Sequence, residues 1–312
     1  RNFLSWAGKK MILIAENNQN LTDKQYIETK IMNWLNSQER IEQLNGERYY
    51  QGNHDILLKK RQVIGEDGKL IEVDNLPNNK KVDHQYAKMV DQKKNYLLGQ
   101  PIAFECDDKN YADALKKVFN KKFQKTLKNL GEDALNGGLA WLCPYYSDNE
   151  LKFKKFPAYE ILPFWKDTAH TELEMAVRLY LEEKPNAKDF IMKVEIYTLA
   201  GIDYYTFENN RLIPEIAKPH ENYITVGEEG YNWERIPLVA FKYNSKEIPL
   251  IKKCKNLQDA INDIISTFKN NMEEDARNTI LVLENYDGSR GKFEKLDKMT
   301  EDQVNIYNYY YS

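Results

Sequence analysis

The chain has 312 residues and a formal net charge of −3, from 45 basic and 48 acidic side chains. That balance excludes a protein that grips phosphates with its whole surface, which would be basic. Hydrophobic residues make up 42% and charged residues 30%, so the chain can bury a core while much of its surface stays wet. The length is too great for one small core and implies about two domains.

Cys106, Cys143 and Cys254 are far apart and odd in number. With no Cys-x-x-Cys pair and no His/Cys spacing, they read as buried free thiols in a reducing compartment, not as zinc ligands. No run approaches the ~18 apolar residues of a membrane span. Residues 11–15 are apolar but far too short for a secretory signal. Cytosolic synthesis and no membrane partner are expected.

In chain order, residues 1–19 have no clear period and read as an arm or edge strand. Thr22 resembles an N-cap with Gln25 at the capping-box position. Ile27, Ile31, Trp34 and Leu35, then Ile41 and Leu44, predict one helix to about Tyr50, with Gly46 inside it at some cost. Gly52-Asn53 breaks the pattern. A charged patch, Lys59-Lys60-Arg61, precedes a turn at residues 65–68 and a returning strand at 70–73. A second helix is predicted over residues 83–98, with Tyr86, Met89, Val90 and Leu97 inward, closed by Gly99 and Pro101.

Residues 111–137 read as helical, in two pieces around 123–125, and Gly137-Gly138 ends them. Strands are then predicted at 139–146, 151–156, 176–181, 193–198, 203–207 and 238–243, rich in Tyr, Phe, Val and Ile. The fold class is therefore α+β with a mainly antiparallel sheet. Residues 256–277 predict a long amphipathic helix capped by Asn256, about 33 Å long. A strand at 280–283 follows, then a polar stretch at 289–312 with no assigned role.

Enzyme signatures are sparse. Glu150 and Lys152 beside Asp133 could form a nuclease-like carboxylate–lysine core that holds a metal ion, but the solvated strand is the favoured reading. Glu105, Asp107 and Asp108 read as a wet loop. His54, His84, His170 and His220 are mutually distant and show no ligand spacing. No Walker loop, dinucleotide fingerprint or nucleophile elbow is present. No catalytic residue, metal or cofactor is expected.

Several blocks carry a resemblance. Residues 49–57 (Tyr-Tyr-Gln-Gly-Asn-His-Asp-Ile-Leu), 79–83 with Val90-Asp91, and 95–101 (Asn-Tyr-Leu-Leu-Gly-Gln-Pro) come first. Residues 134–141, 157–163 and 236–241 follow, then the long helix with 280–288. In order and spacing these are similar to the portal proteins of tailed phages, specifically the SPP1-like group, over about residues 22–288.

The resemblance implies a wing domain to residue 245 with an N-terminal arm, a stem helix region at 246–278, and the start of a clip at 279–312. A second stem helix, channel loop and crown find no match in the chain. It also implies a homo-oligomeric ring, usually of twelve, at one capsid vertex of the virion. Double-stranded DNA passes through such a ring without sequence specificity. Terminase, head-completion or adaptor proteins, and capsid and scaffold proteins are the implied partners. The runner-up is a metal-dependent nuclease or other hydrolase using Asp133, Glu150 and Lys152. A third reading is a peripheral capsid or tail adaptor without a channel.

Within the portal reading, the long helix carries the site. Helical spacing places Leu257, Ile261, Ile264, Ile265, Phe268 and Met272 on one side, as stem packing. It places Asp259, Asp263, Ser266, Asn270, Glu273, Glu274 and Arg277 on the other, as channel lining. Four carboxylates against one arginine predict an acidic wall that repels passing phosphates.

Overall fold

A computed structural model describes residues 23–275, apart from 66, 148–149 and 184–189. The capping position Thr22, the N-terminal arm, Arg277, the predicted strand at 280–283 and the stretch 289–312 lie outside the described residues.

The chain divides into two compact units. One contains Arg1–Asn53 and His84–Lys255, and the other His54–Asp83 and Asn256–Ser312. The expected contiguous block over 1–245 is thus interrupted. Residues 54–83 belong with the long helix, not with their sequence neighbours.

In the first unit, α1 (Asp23–Leu35) and α2 (Gln38–Tyr50) replace the single helix expected there. Ser37 divides them: its backbone is extended, and its hydroxyl accepts a hydrogen bond from Arg40 N, which caps α2. Then come α3 (Gln85–Leu98), α4 (Lys109–Val118) and α5 (Lys121–Gly137). Tyr86 and Val90 are buried as expected, but Leu97 is exposed. The break before α5 falls at Asn120, earlier than expected. Its side chain accepts from Lys122 N and Phe123 N. Gly138 ends α5 at φ +84°, in the left-handed region.

Two antiparallel sheets pack face to face. One has the order β13-β3-β4, from β3 (Leu139–Ser147), β4 (Glu150–Pro157) and β13 (Val239–Lys242). The other is built on β5 (Ile161–Trp165), β6 (Leu173–Glu183), β7 (Phe190–Thr198) and β8 (Gly201–Glu208). Its far edge is shared by β9 (Arg211–Pro214) and β10 (His220–Glu221), both paired with β8. A small hairpin, β11 (Ile224–Val226) and β12 (Glu229–Tyr231), follows. The six expected strands are all present. The short β5 and β9–β12 were not expected, because segments of two to five residues carry almost no period of their own.

Strand alternation puts Trp141, Cys143 and Phe156 against Ala176, Tyr197 and Ile202 between the sheets. The opposite face of the larger sheet buries Val177, Leu179, Val194 and Ile196 under Ile31 and Trp34 of α1. The smaller sheet's outer face meets Leu130 and Ala134 of α5. Helix, sheet, sheet and helix thus form four layers. Helices α2 and α5 approach so closely that a Cβ on Gly46 would lie 2.0 Å from the carbonyl oxygen of Asn136. The glycine that reads as a weakness in α2 is what permits the crossing.

The second unit contains a 3₁₀ turn (Asp55–Leu58), the hairpin β1 (Gln62–Ile64) with β2 (Leu70–Glu72), and most of α6 (Ile251–Asp275). Asn256 does not cap α6. The helix starts five residues earlier, just after Pro249, where Lys252 N and Lys253 N bond to the carbonyls of Pro249 and Leu250.

Candidate functional site

Part of the face of α6 expected to be polar and open is covered. Gln258, Asn262, Ser266 and Asn270 recur every fourth residue, and all four are buried. Segment 79–83 runs antiparallel beside them. Asn270 Oδ1 accepts from Asn79 N at 2.7 Å, Ser266 Oγ from Lys81 N at 2.9 Å, and Asn262 Oδ1 from Asp83 N at 2.9 Å. Four helical residues rise about 6.0 Å and two extended residues about 6.6 Å. Residues 59–61 and 73–83, on either side of the β1–β2 hairpin, form a strap, and side-chain acceptors on the helix stay in step with alternate backbone donors of its 79–83 segment for three rungs. Gln258 Nε2 donates to Asp83 O at 2.7 Å, and Asn262 Nδ2 donates to His54 Nδ1 at 2.8 Å.

Ion pairs flank this ladder. Lys59 holds Asp263 at 2.7 Å, Arg61 holds Glu274 at 2.6 Å, and Asn79 Nδ2 donates to Glu273 at 3.0 Å. The seven expected channel residues therefore separate into groups. Ser266 and Asn270 are buried in the ladder. Glu273 and Glu274 are half-buried and bonded to the strap. Asp259 is half-buried and Asp263 exposed. The strap lays Lys59 and Arg61 against the carboxylates, so in the single chain this side is a surface of mixed charge.

The residues expected as stem packing are open to water in the single chain. Ile264 is 68% exposed and Phe268 65%, and Leu257, Ile265 and Met272 are exposed with them; Ile261 is half-buried. Within one subunit the polar stripe is inside and the apolar stripe outside, the reverse of an ordinary surface helix. The physical reason lies in the strap. An extended segment laid on a helix brings backbone N–H groups that need acceptors when buried, and an apolar stripe offers none. The spacing of Gln258, Asn262, Ser266 and Asn270 was the available signal, and Gln258 and Asn262 went unread as a site.

The alternative catalytic set does not converge. Asp133 is buried on α5 and pairs with Lys155, not Lys152. Burial raises its carboxyl to about 6, and the pull of Lys155 only partly offsets this. Glu150 is exposed at the start of β4 opposite Ser147, while Lys155 lies opposite Leu142. Five residues along a strand is about 17 Å, and odd and even positions point to opposite faces. Glu150 and Lys152 therefore share one face, and Lys155 with Asp133 lies on the other.

Among the described residues, no group of three or more His, Cys, Asp or Glu is placed to hold a metal ion. No described helix is long and apolar enough to cross a membrane. Cys143 is buried and Cys254 half-buried, but Cys106 is exposed, contrary to the expectation of three buried thiols.

The sequence profile of the family described as "Phage portal protein, SPP1 Gp6-like" matches residues 29–307. The chain belongs to this phage portal family. It is 28% identical over 254 residues to the portal protein of Bacillus phage SPP1, covering 80% of this chain and 50% of that protein. It is also 28% identical over 267 residues to the portal protein of Clostridium phage phiCD119, covering 80% of this chain and 56% of that one. The chain spans about half the length of these portal relatives.

Proposed function

We propose that this portal chain is one subunit of a closed ring at a capsid vertex of the virion, through which double-stranded DNA is packaged and ejected. The observation that carries this reading is the exposed apolar stripe of α6. Beyond its portal family membership, the chain presents a row of large apolar side chains that the other described residues leave to water, and such a row is a surface for a neighbour.

In this reading residues up to 245, apart from the strap, form the wing, α6 is the stem helix, and 279–312 begin the clip. The apolar stripe meets neighbouring subunits, and the strap side of α6 faces the channel. There Asp259 and Asp263 stand among the lysines and arginine of the strap. A wall of nearly balanced charge holds DNA phosphates weakly, which suits a conduit, because many phosphate contacts would act as brakes. The ring has no chemistry of its own. A terminase motor supplies the work, and head-completion proteins dock on the clip side.

The test pairs two variants in packaging assays. Ile264→Asp is expected to abolish rings. Asp259→Lys with Asp263→Lys is expected to leave rings intact and shorten the packaged DNA. Normal packaging by the double lysine variant removes the channel assignment of this side. Rings formed normally by Ile264→Asp remove the packing role of the stripe.

A further inference from the structure

We infer that the β1–β2 hairpin of one subunit covers the apolar stripe of α6 on a second copy of this chain. The inference rests on the ring reading above and names the two surfaces that make the contact.

The hairpin is unusual in being apolar without a core. Ile64 and Leu70 are cross-strand partners on one face, and they are 76% and 65% exposed. Val63 and Ile71 form the equivalent pair on the other face and are also exposed. A two-stranded ribbon of three residues per strand is unstable in water unless something packs on it. Among the described residues the second unit therefore carries two apolar surfaces with nothing packed on them, the ribbon and the stripe around Ile264 and Phe268.

The two surfaces cannot satisfy each other within one chain. The strap is fixed to the side of α6 that bears Asn262, Ser266 and Asn270, and the ribbon leaves it beside Arg61, which is held by Glu274. At 100° per residue, the stripe is rotated about 150° from that side. Turning the ribbon onto it would pull Arg61 from Glu274 and peel the strap from its ladder.

A second copy meets no such constraint. Two complementary, non-overlapping patches on one subunit are the requirement for a head-to-tail contact that repeats and closes. Taken together the two patches expose on the order of 1,000 Å² of apolar side chain. Brought together across two copies, that is the scale of a specific interface.

The experiment uses the full chain with Cys106 and Cys254 changed to serine and only the buried Cys143 kept, as two variants with one introduced cysteine each, Ile64→Cys and Phe268→Cys. Each is assembled and oxidised alone, then the two are mixed and oxidised. The expected result is a disulfide-linked dimer in the mixture only, containing one chain of each kind. Dimers of Phe268→Cys with itself, at equal yield, mean that stripe packs on stripe and overturn the proposal while leaving the ring reading intact. Rings seen by native mass measurement with no cross-link in the mixture overturn it in the same way. Monomers alone, under every condition, overturn the ring reading and this contact with it.

Discussion

Asn262 Nδ2 lies 2.8 Å from Nδ1 of His54, and the two residues are 0% and 1% exposed. An amide nitrogen is only a donor, so His54 presents its unprotonated nitrogen there. The same amide's oxygen takes Asp83 N at 2.9 Å and Gln258 Nε2 at 3.2 Å. One side chain thus ties the 3₁₀ turn, the strap and the helix together.

Replacing it tests the ladder. Asn262→Leu keeps the volume but takes the acceptor from Asp83 N and the donor from His54 Nδ1, while Gln258 Nε2 keeps its bond to Asp83 O; a buried polar group left unpaired costs about 1–3 kcal/mol. The expected outcome is local opening. Amides of residues 79–83 lose protection in hydrogen-exchange mass spectrometry, while those of β6 and β7 keep theirs. Asn262→Asp retains an acceptor for Asp83 N and should protect the strap better than leucine does. Equal protection in all three chains means that the ladder contributes nothing.

Gly46 gives a test in which propensity and packing disagree. In an isolated helix Gly→Ala gains about 1 kcal/mol. Here the new Cβ would sit 2.0 Å from Asn136 O, on the backbone of α5. Gly46→Ala is therefore expected to lower the denaturant midpoint, by a free energy of about 2 kcal/mol or more once α2 and α5 are forced apart. A raised midpoint means that the helices can separate freely.

Asp133 sets a pH dependence. Its carboxyl is raised to about 6 by burial, above the usual unfolded value near 4. Between those two values the folded chain binds more protons than the unfolded chain, so stability falls as pH rises through this window and is flat above it. The loss attributable to this group is on the order of 2–3 kcal/mol. Asp133→Asn should remove that slope between about pH 4 and 6 in a series of denaturant midpoints. Identical slopes in both chains mean that Lys155 cancels the burial.

The exposed stripe separates folding from assembly. Since Ile264 is 68% exposed in the subunit, Ile264→Asp is expected to change the stability of the dissociated chain by less than about 0.5 kcal/mol. Sedimentation at several concentrations should show the loss of higher species with no loss of thermal stability. A large fall in melting temperature at concentrations where the chain is monomeric means that the stripe belongs to the fold itself.

Much of the secondary structure was legible in the residues. Strand alternation at 139–146, 176–181 and 193–198 found β3, β6 and β7, because both faces of these strands are decided by burial. The helix break at Ser37 was missed because apolar residues continue in phase on both sides of it, and one hydroxyl at a cap outweighs them locally. The start of α6 was misread for a similar reason. Asn256 has the chemistry of a cap, but the helix had already begun after Pro249.

The amino-acid sequence by itself determined the α+β class, the period of α6, and the order of blocks that identifies the portal family. These depend on local periodicity and on residue identity along the chain. Which side of α6 is covered was decided only in three dimensions. Periodicity separates an apolar side from a polar side, but it carries no information about what arrives to cover either. A segment nearly two hundred residues away brings three backbone donors at extended spacing, and Asn262, Ser266 and Asn270 accept them. Among the described residues the polar side is therefore closed within the chain, and the apolar side is open to water.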